Sequence, residues 1–344
     1  MGLMPADQLN PSTATRAHNA QTAAATPKET AEDVLAVLAG SPLNQVAAGL
    51  DMAAADLTDA IETYQQAGHA ALETQAATRD WYQVRVQFPK WAAAEKAAAT
   101  SLGPQLQRLQ DTGVIAAWWF IRKAPCWRLR MKPGYDVALA DMKTSANSIL
   151  DGLTTAGLIS RWQQTLYEPE TVAFGGRSGV DIAHNLFCSD SSNILDNLRR
   201  PEPTIGRREL SILLCSTLFR AAGQEWFECG NIWHRVPRLR PIPTDTPTDR
   251  LTELVESLRK LLTYDARPTG ALFGTDGPLA FAASWAAAFN HAGQALGAAA
   301  NEGTLERGTR DILAHHVIFH WNRIGLPDKT QSILAHAAKT VIFS

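Results

Sequence analysis

Cations alternate with apolar residues in the segment CWRLRMKP, which runs from residue 126 to residue 133. A period of two is that of a β-strand, so Arg128, Arg130 and Lys132 leave one face and the apolar side chains leave the other. A planar guanidinium group binds a carboxylate or phosphate through two parallel hydrogen bonds. The pattern predicts an anion-binding strand; the alternative is an exposed edge strand whose cations discourage aggregation.

A second polar group follows a helical pattern in HHVIFHWNR, residues 315–323. His316 and His320 are four residues apart and therefore share one helix face, with Asn322 and Arg323 on neighbouring faces. Such a pair can bind zinc, but no glutamate lies between the histidines and no third ligand is identifiable, so we predict no metal site. A histidine can also transfer a proton, or simply pack with its nitrogens hydrogen-bonded.

The third segment is YEPETVAFGG, residues 167–176. Glu168 and Glu170 alternate there, and two glycines permit a tight turn. One interpretation is that the segment belongs to a functional site; the other is that it is a strand end with solvated carboxylates and a turn. The chain has no glycine-rich phosphate loop, no Gly-x-Ser-x-Gly elbow and no dinucleotide fingerprint, which argues against ATP use and serine hydrolysis. We predict no cofactor.

The elements around these segments follow a β-α-β-β-α-β order. A turn at residues 123–125 separates the second strand from the third. This order is typical of a ferredoxin-like sheet covered on one face by two helices, which we place at residues 80–176 of an α+β chain. The predicted strands span 80–88, 115–122, 126–131 and 159–166, and the predicted helices span 91–110 and 136–156.

Residues 177–344 have mostly helical patterns. Ser189 or Asp190 is expected to cap the second of two short helices, since such residues favour helix N-termini. The proline-rich segment 235–249 is predicted to be a loop. The expected helices span 181–187, 190–199, 207–222, 251–263, 278–300, 304–323 and 329–340.

The N-terminal part contrasts with the rest in composition. Residues 1–29 are predicted to form a disordered lead-in. Residues 30–72 read as three helices, at 31–39, 42–50 and 53–67, with a corner that resembles a helix-turn-helix. Between Glu29 and Thr78 there are eight acidic residues and no Lys or Arg. Phosphate contacts need cations, so residues 30–75 are predicted to be a docking or packing module that does not bind DNA.

Whole-chain composition limits the partners further. The 344 residues carry 32 basic and 34 acidic side chains, a formal net charge of -2, which gives no general attraction to nucleic acid or membranes. The four cysteines are dispersed and fit reduced thiols in the cytoplasm. The first residues do not resemble a secretory signal, and the alanine-rich segment 277–300 fits a buried helix better than a membrane span.

Four segments in order resemble a known family: WWFIRKAPCWRLRMKP, YEPETVAFGG, LFCSDSSNIL and HWNRIGL. From Trp81 to the C-terminus the chain is similar to the thiopeptide-type bacteriocin biosynthesis domain, also the C-terminal elimination domain of lantibiotic dehydratases. In full-length members a separate domain attaches glutamate to Ser or Thr through glutamyl-tRNA. The elimination domain then removes it, leaving dehydroalanine or dehydrobutyrine. The implied partners are a ribosomal precursor peptide, with leader and core, and a glutamyl-tRNA-dependent dehydratase.

The resemblance places catalytic residues at Arg128, Arg130 and His320. The arginines would hold the glutamyl carboxylate and stabilise developing charge, and the histidine would act as acid and base. Elimination domains carry a further arginine in the Tyr-Glu segment, where this chain has Pro169 and Ala173; Arg177 is the candidate substitute. The predicted substrate-binding residues are Arg122, Tyr167, Glu168, Glu170, Arg177, Asp190, Ser191, His316, Asn322 and Arg323.

Two alternatives to glutamate elimination follow. The same fold as a separate protein serves as pyridine synthase, which joins two dehydroalanines in a formal aza-[4+2] cycloaddition and expels water and the leader peptide. A noncatalytic partner that binds the precursor peptide is the other. Elimination is preferred because the arginine strand and the His-x-Asn-Arg segment are both present.

Overall fold

The computed structural model describes residues 26–49, 52–79, 81–201, 204–241 and 248–344. Most of the predicted lead-in therefore lies outside the described residues. Its last part, however, belongs to the first helix: Thr26 and Glu29 form a reciprocal capping box at the start of α1, so residues 27–29 are helical.

The chain divides into two compact units at residue 73. The first contains α1 (Pro27–Leu38), α2 (Leu43–Gly49) and most of α3 (Ala54–Arg79), which continues well past the predicted end at residue 67. Its small core is formed by Val34, Ala47 and Leu57. Among the described residues, none of the helices combines the length and apolar composition that a membrane span requires.

The second unit begins with a four-stranded antiparallel sheet in the order β2-β3-β1-β4. This is the predicted ferredoxin-like arrangement. Its strands are β1 (Tyr82–Gln87), β2 (Ile115–Lys123), β3 (Cys126–Pro133) and β4 (Arg161–Thr165). The arginine strand β3 pairs with a neighbour on each side, so the alternative of an exposed edge strand is wrong.

Helices cover the two faces of this sheet. The first connection contains α4 (Ala94–Ala97), a π-helical turn (Ala98–Leu102) and α5 (Gly103–Asp111), and the second contains α6 (Leu139–Thr155). They pack on the face of Trp127, where the Tyr82 hydroxyl donates to Asn147 of α6. The other face is also covered near Arg130 by helix α7 (Gly176–Leu198), whose Phe187 ring lies 4.9 Å from Trp119.

The C-terminal half is helical, as predicted. It contains α7 (Gly176–Leu198), α8 (Arg207–Ala221), α9 (Trp226–Leu239), α10 (Thr248–Thr263), α11 (Ala283–Asn301), α12 (Thr309–Ile324) and α13 (Asp328–Phe343). The bounds of α10 to α13 differ by a few residues from those expected, since local patterns define helix ends poorly.

Two sequence-based predictions for this half are wrong. Residues 181–198 belong to one helix, α7, so Ser189 and Asp190 lie within it and cap nothing. Helix α9 includes residues 235–239, which we assigned to a loop. It begins with a capping box between Glu225 and Glu228, and it accommodates Pro237 near its end.

Candidate active site

A buried carboxylate connects α7 to α12. Asp190 accepts a hydrogen bond from His320 Nδ1 at 3.0 Å and from Arg323 Nε at 2.7 Å. Trp285 of α11 donates to the same carboxylate at 2.8 Å. Burial alone would raise the pKa of Asp190, but the electrostatic interactions and hydrogen bonds with His320 and Arg323 outweigh it and lower the pKa. Asp190 is therefore ionised at neutral pH.

This carboxylate determines the tautomer of His320. An ionised Asp190 only accepts hydrogen bonds, so the neutral form of His320 carries its proton on Nδ1 and its lone pair on Nε2. Nε2 is buried and has no hydrogen-bond partner among the described residues. The ring packs edge-on against Phe289 at 5.0 Å. His320 is thus oriented as a proton acceptor with its basic nitrogen unoccupied by the protein.

Arg130 is buried on β3, with only 2% of its surface exposed. Its guanidinium group lies 4.0 Å from the Trp119 ring centroid and 4.6 Å from that of Tyr167. Burial lowers its pKa to about 10, partly opposed by Tyr167 and Glu170, so the group stays cationic at neutral pH. In the described part of the chain, Nε and Nη1 of Arg130 have no hydrogen-bond partner.

Arg323 supplies a second buried guanidinium group, three residues after His320 on α12. It stacks over Phe187 at 4.1 Å, and Phe187 lies 4.9 Å from Trp119, the residue beside Arg130. Burial is the main cause of the lowered pKa of Arg130, and the Arg323 charge adds to it. Both Nη atoms of Arg323 lack partners among the described side chains and backbone. Two cations with unused donors are suited to an anion.

A tyrosine and a histidine complete the surroundings of Arg130. The Tyr167 hydroxyl lies 2.6 Å from His184 Nε2, and Trp81 packs against His184 at 5.0 Å. Burial lowers the pKa of His184 to about 3, with Arg130 and Lys132 acting in the same direction, so this histidine is neutral. Burial likewise raises the pKa of Tyr167. The aromatic enclosure keeps water from the Arg130 charge.

Sequence reasoning missed His184, Phe187 and Trp81. The signal is present in α7: His184, Phe187 and Ser191 follow one another at helical spacing and therefore share a face. Treating residues 181–199 as two helices concealed that face.

His316 lies one turn before His320 and is fully buried. Its ring packs 5.0 Å from Phe174 and 6.0 Å from Phe187, and burial lowers its pKa to about 3. Neither ring nitrogen has a partner in the described ranges. Across those ranges, no three His, Cys, Asp or Glu side chains are grouped closely enough to hold a metal ion.

The other predicted site residues have different positions. Arg128 shares the face of Arg130 but is half-buried, opposite Arg85 of β1. Arg122 leaves the other face, where it stacks 4.7 Å from Trp127 and binds Glu95. Ser191 accepts the Phe120 N–H on the open edge of β2 at 3.1 Å, and Asn322 accepts from Gln331 at 3.0 Å.

The Tyr-Glu segment does not provide a buried third arginine. Glu168, Glu170 and Arg177 are exposed, and Arg177 binds Asp181 one turn along α7 at 3.1 Å. The second guanidinium group near Arg130 is instead that of Arg323, from α12.

The chain thus combines a ferredoxin-like sheet with a helical half. An aspartate-bound histidine and two arginines are buried near the boundary between them. The chain belongs to the family described as lantibiotic biosynthesis dehydratase C-terminal, whose model matches residues 81–342. The match confirms the resemblance found in the sequence. The predicted module at residues 30–72 lies outside the matched range. Among curated protein sequences, none matches the chain significantly.

Three solved structures share the fold. The tRNA-dependent lantibiotic dehydratase MibB from Microbispora sp. 107891 has a TM-score of 0.58 at 17% identity; the match covers 76% of this chain and 28% of MibB. TsrL has a TM-score of 0.51 at 17% identity, covering 76% of this chain and 97% of TsrL. The pyridine synthase TbtD from thiomuracin biosynthesis has a TM-score of 0.54 at 13% identity; the match covers 76% of this chain and 97% of TbtD.

Proposed function

We propose that this protein removes glutamate from glutamylated Ser or Thr residues of a ribosomal precursor peptide, leaving dehydroalanine or dehydrobutyrine. The observation that carries the proposal is the unoccupied Nε2 of His320 in the same buried region as the unpaired guanidinium donors of Arg130 and Arg323. Elimination needs both a base and positive charge, and this region contains both.

His320 is the proposed base. Its Nε2 takes the Cα proton, and the electron pair of that C–H bond forms the Cα=Cβ double bond. The Cβ–O bond breaks, and glutamate leaves with the electron pair as a carboxylate. Asp190 stabilises the imidazolium that forms, because the carboxylate remains bound to Nδ1. The proton is then available for release with the product.

Arg130 and Arg323 are the proposed anion-binding groups. Their unpaired N–H donors hold the glutamyl carboxylate. The same two cations stabilise the developing enolate and the leaving carboxylate. Because all three groups are almost completely buried, the peptide must open the contact between α7 and the sheet on binding. Burial then strengthens each charge interaction with the bound substrate.

Pyridine synthesis is the second candidate. Two observations favour it: a pyridine synthase, TbtD, is matched along 97% of its length, and the Tyr-Glu segment has Ala173 where elimination domains carry an arginine. The same histidine and arginines would then move protons and bind carbonyl oxygens during cycloaddition and release of the leader peptide.

Mass spectrometry with two precursor peptides, one glutamylated and one already dehydrated, tests both candidates. Loss of glutamate from the first supports elimination, and ring formation with leader release from the second supports pyridine synthesis. His320→Asn and Arg130→Gln should each lower turnover by about 10²-fold or more while the peptide still binds. Arg108→Gln, an exposed arginine of α5, is the matched control.

Two outcomes contradict the proposal. Binding of both peptides without any product would identify a noncatalytic peptide-binding partner. Full turnover by the His320 and Arg130 variants would place the chemistry elsewhere in the chain.

A further inference from the structure

A cavity of about 440 Å³ lies at the end of β2, on the side of the sheet opposite Arg130. Arg122 faces Trp127 across the β2–β3 pair, whereas Arg130 faces Trp119, so the two arginines leave opposite faces. The cavity is therefore separate from the candidate active site. Its lining comprises Trp91, Glu95, Arg122, Lys123, Ala124, Arg240, Asn322, Gly325, Leu326, Pro327 and Asp328.

The charge at this cavity is positive. Glu95 is shared by two arginines, since Arg122 binds one of its oxygens and Arg207 binds both, at 2.7 and 2.5 Å. Burial would raise the pKa of Glu95, but these arginines lower it to about 2, so it stays ionised. Lys123 and Arg240 add two further cations, and only Asp328 adds another carboxylate. Three cations and two carboxylates thus line the cavity, and Arg207 binds Glu95 from outside this lining. Arg240 also lies 3.5 Å from the Asp328 carboxylate.

Donors suited to an anion are present. The Arg122 side chain is 7% exposed, and its Nε and Nη2 atoms have no hydrogen-bond partner within the described residues. Lys123 is exposed at the turn that follows Arg122. Asn322 uses its carbonyl oxygen to accept from Gln331, which leaves its amide nitrogen as a donor.

The remaining walls are apolar. Trp91 is 48% exposed although it is a large aromatic residue, and Leu326 and Pro327 lie in the same cavity. Such walls fit the side chain or backbone next to an anionic group in a peptide. A doubly charged phosphate is disfavoured, because Glu95 and Asp328 already place two negative charges at the cavity.

We propose that this cavity is a second subsite for the peptide substrate, which binds one carboxylate together with an adjacent apolar side chain. The inference rests on the proposed function, because it takes a peptide as the ligand. The carboxylate is either that of an acidic side chain or the C-terminal one. Helix α12 carries His320 on one side and Asn322 at the cavity, so a peptide held here lies beside the helix that supplies the base.

Calorimetry with short peptides tests the subsite without any turnover. The probes are N-acetyl-Leu-Glu-amide, with a side-chain carboxylate, N-acetyl-Leu-Leu, with a C-terminal carboxylate, and the neutral control N-acetyl-Leu-Gln-amide. At least one acidic probe should bind more tightly than the neutral one. Trp91→Ala and Lys123→Ala should each weaken that binding about fivefold, because cation and aromatic contacts of this kind are lost. Lys96→Ala, an exposed lysine outside the cavity, should leave it unchanged.

The subsite is refuted if the neutral probe binds equally well, if no probe binds, or if the Trp91 and Lys123 variants bind like the wild type. The last result would indicate that the carboxylate binds at Arg130 instead. Failure of the proposed reaction is recognised separately, by the mass spectra of the two precursor peptides.

Discussion

Asp190 holds side chains from two helices with one carboxylate. It accepts from Trp285 on α11 and from His320 and Arg323 on α12. Because every one of these groups is buried, loss of the charge leaves Arg323 unpaired in a site without water contact. An amide in place of the carboxylate offers one acceptor oxygen to three donors and adds a donor of its own, so it no longer fixes the proton of His320 on Nδ1.

Asp190→Asn should therefore lower kcat for the productive peptide by about 10²-fold to 10⁴-fold, with a much smaller change in peptide Kd. It should also reduce the free energy of unfolding by about 3 kcal/mol, since a buried cation loses its partner. Steady-state kinetics, peptide titration and urea unfolding measure these effects. Asp181→Asn, an exposed aspartate of the same helix, is the control, and equal turnover by both variants would contradict the assignment.

At the residue scale the sequence identifies much of the candidate site. Arg130, His320 and Arg323 are apparent from charge and spacing. Asp190 is predicted both as a helix cap, because aspartate favours that position, and as a substrate-binding residue, but not as the partner of His320. Its burial depends on α11 and α12, more than 90 residues away in the chain, and no local pattern reveals such partners.

At the scale of elements, the strands were predictable and two helices were not. Alternation identified β3 directly. Helix α9 was missed because Pro237 and the prolines after it suggest a loop, yet the helix ends soon after Pro237, where little helical hydrogen bonding is lost. Helix α7 was divided in two because Ser189 and Asp190 resemble a cap. The Asp190 side chain instead accepts hydrogen bonds from α11 and α12.

The packing of α11 on α8 depends on a glycine. A Cβ atom at Gly293 would lie 2.4 Å from the Leu218 carbonyl oxygen and 2.7 Å from Ala221 Cβ. Gly293→Ala should therefore destabilise the fold by roughly 1–3 kcal/mol, because the helices must separate.

Gly297→Ala is the matched control, one turn further along α11. Its Cβ would meet Ala222 atoms at 3.5 Å, an ordinary contact, and alanine favours the helix by about 1 kcal/mol. Urea unfolding should show loss of stability for the first variant and none for the second. Equal destabilisation of both would mean that the close approach of α8 does not control this contact.

At the scale of the whole molecule, two neutral histidines make stability depend on pH. The pKa values of His184 and His316 are lowered by burial to about 3, whereas an unfolded histidine has a pKa of about 6.5. Below pH 6.5 the unfolded chain binds more protons, so the free energy of unfolding falls as the pH is lowered towards 3. As the pH falls from 6.5 to 5, each of these histidines should lower the free energy of unfolding by about 2 kcal/mol.

Urea unfolding at several pH values between 7.5 and 5 measures this dependence. His316→Gln should flatten the slope, because glutamine does not titrate, even though it lowers stability at neutral pH. His291→Gln, at an exposed position, should keep the wild-type slope. An unchanged slope in the His316 variant would show that this histidine does not titrate between the two states.

The overall fold was predictable because the order of strands and helices admits few topologies. The helix that covers the cationic face of the sheet was not predictable. The alternation of β3 indicates only that one face is cationic, and whether water or another helix meets that face is decided by α7, more than 40 residues later. The anion site stays a prediction, and Arg130, its central residue, lies in the interior.

Arg130 has a consequence for the balance between stability and activity. Its charge is surrounded by Trp119 and Tyr167, and two of its nitrogens have no partner among the described residues. An apolar side chain of similar length would fit the same enclosure without the cost of removing a charge from water. The Arg130→Met variant should therefore unfold at the same temperature as the wild type or at a higher one, and it should lose turnover. A lower unfolding temperature would show that the fold itself requires this charge. On this expectation the buried charge makes the resting fold less stable than that of the variant, and an anionic peptide that binds at Arg130 should stabilise the wild type.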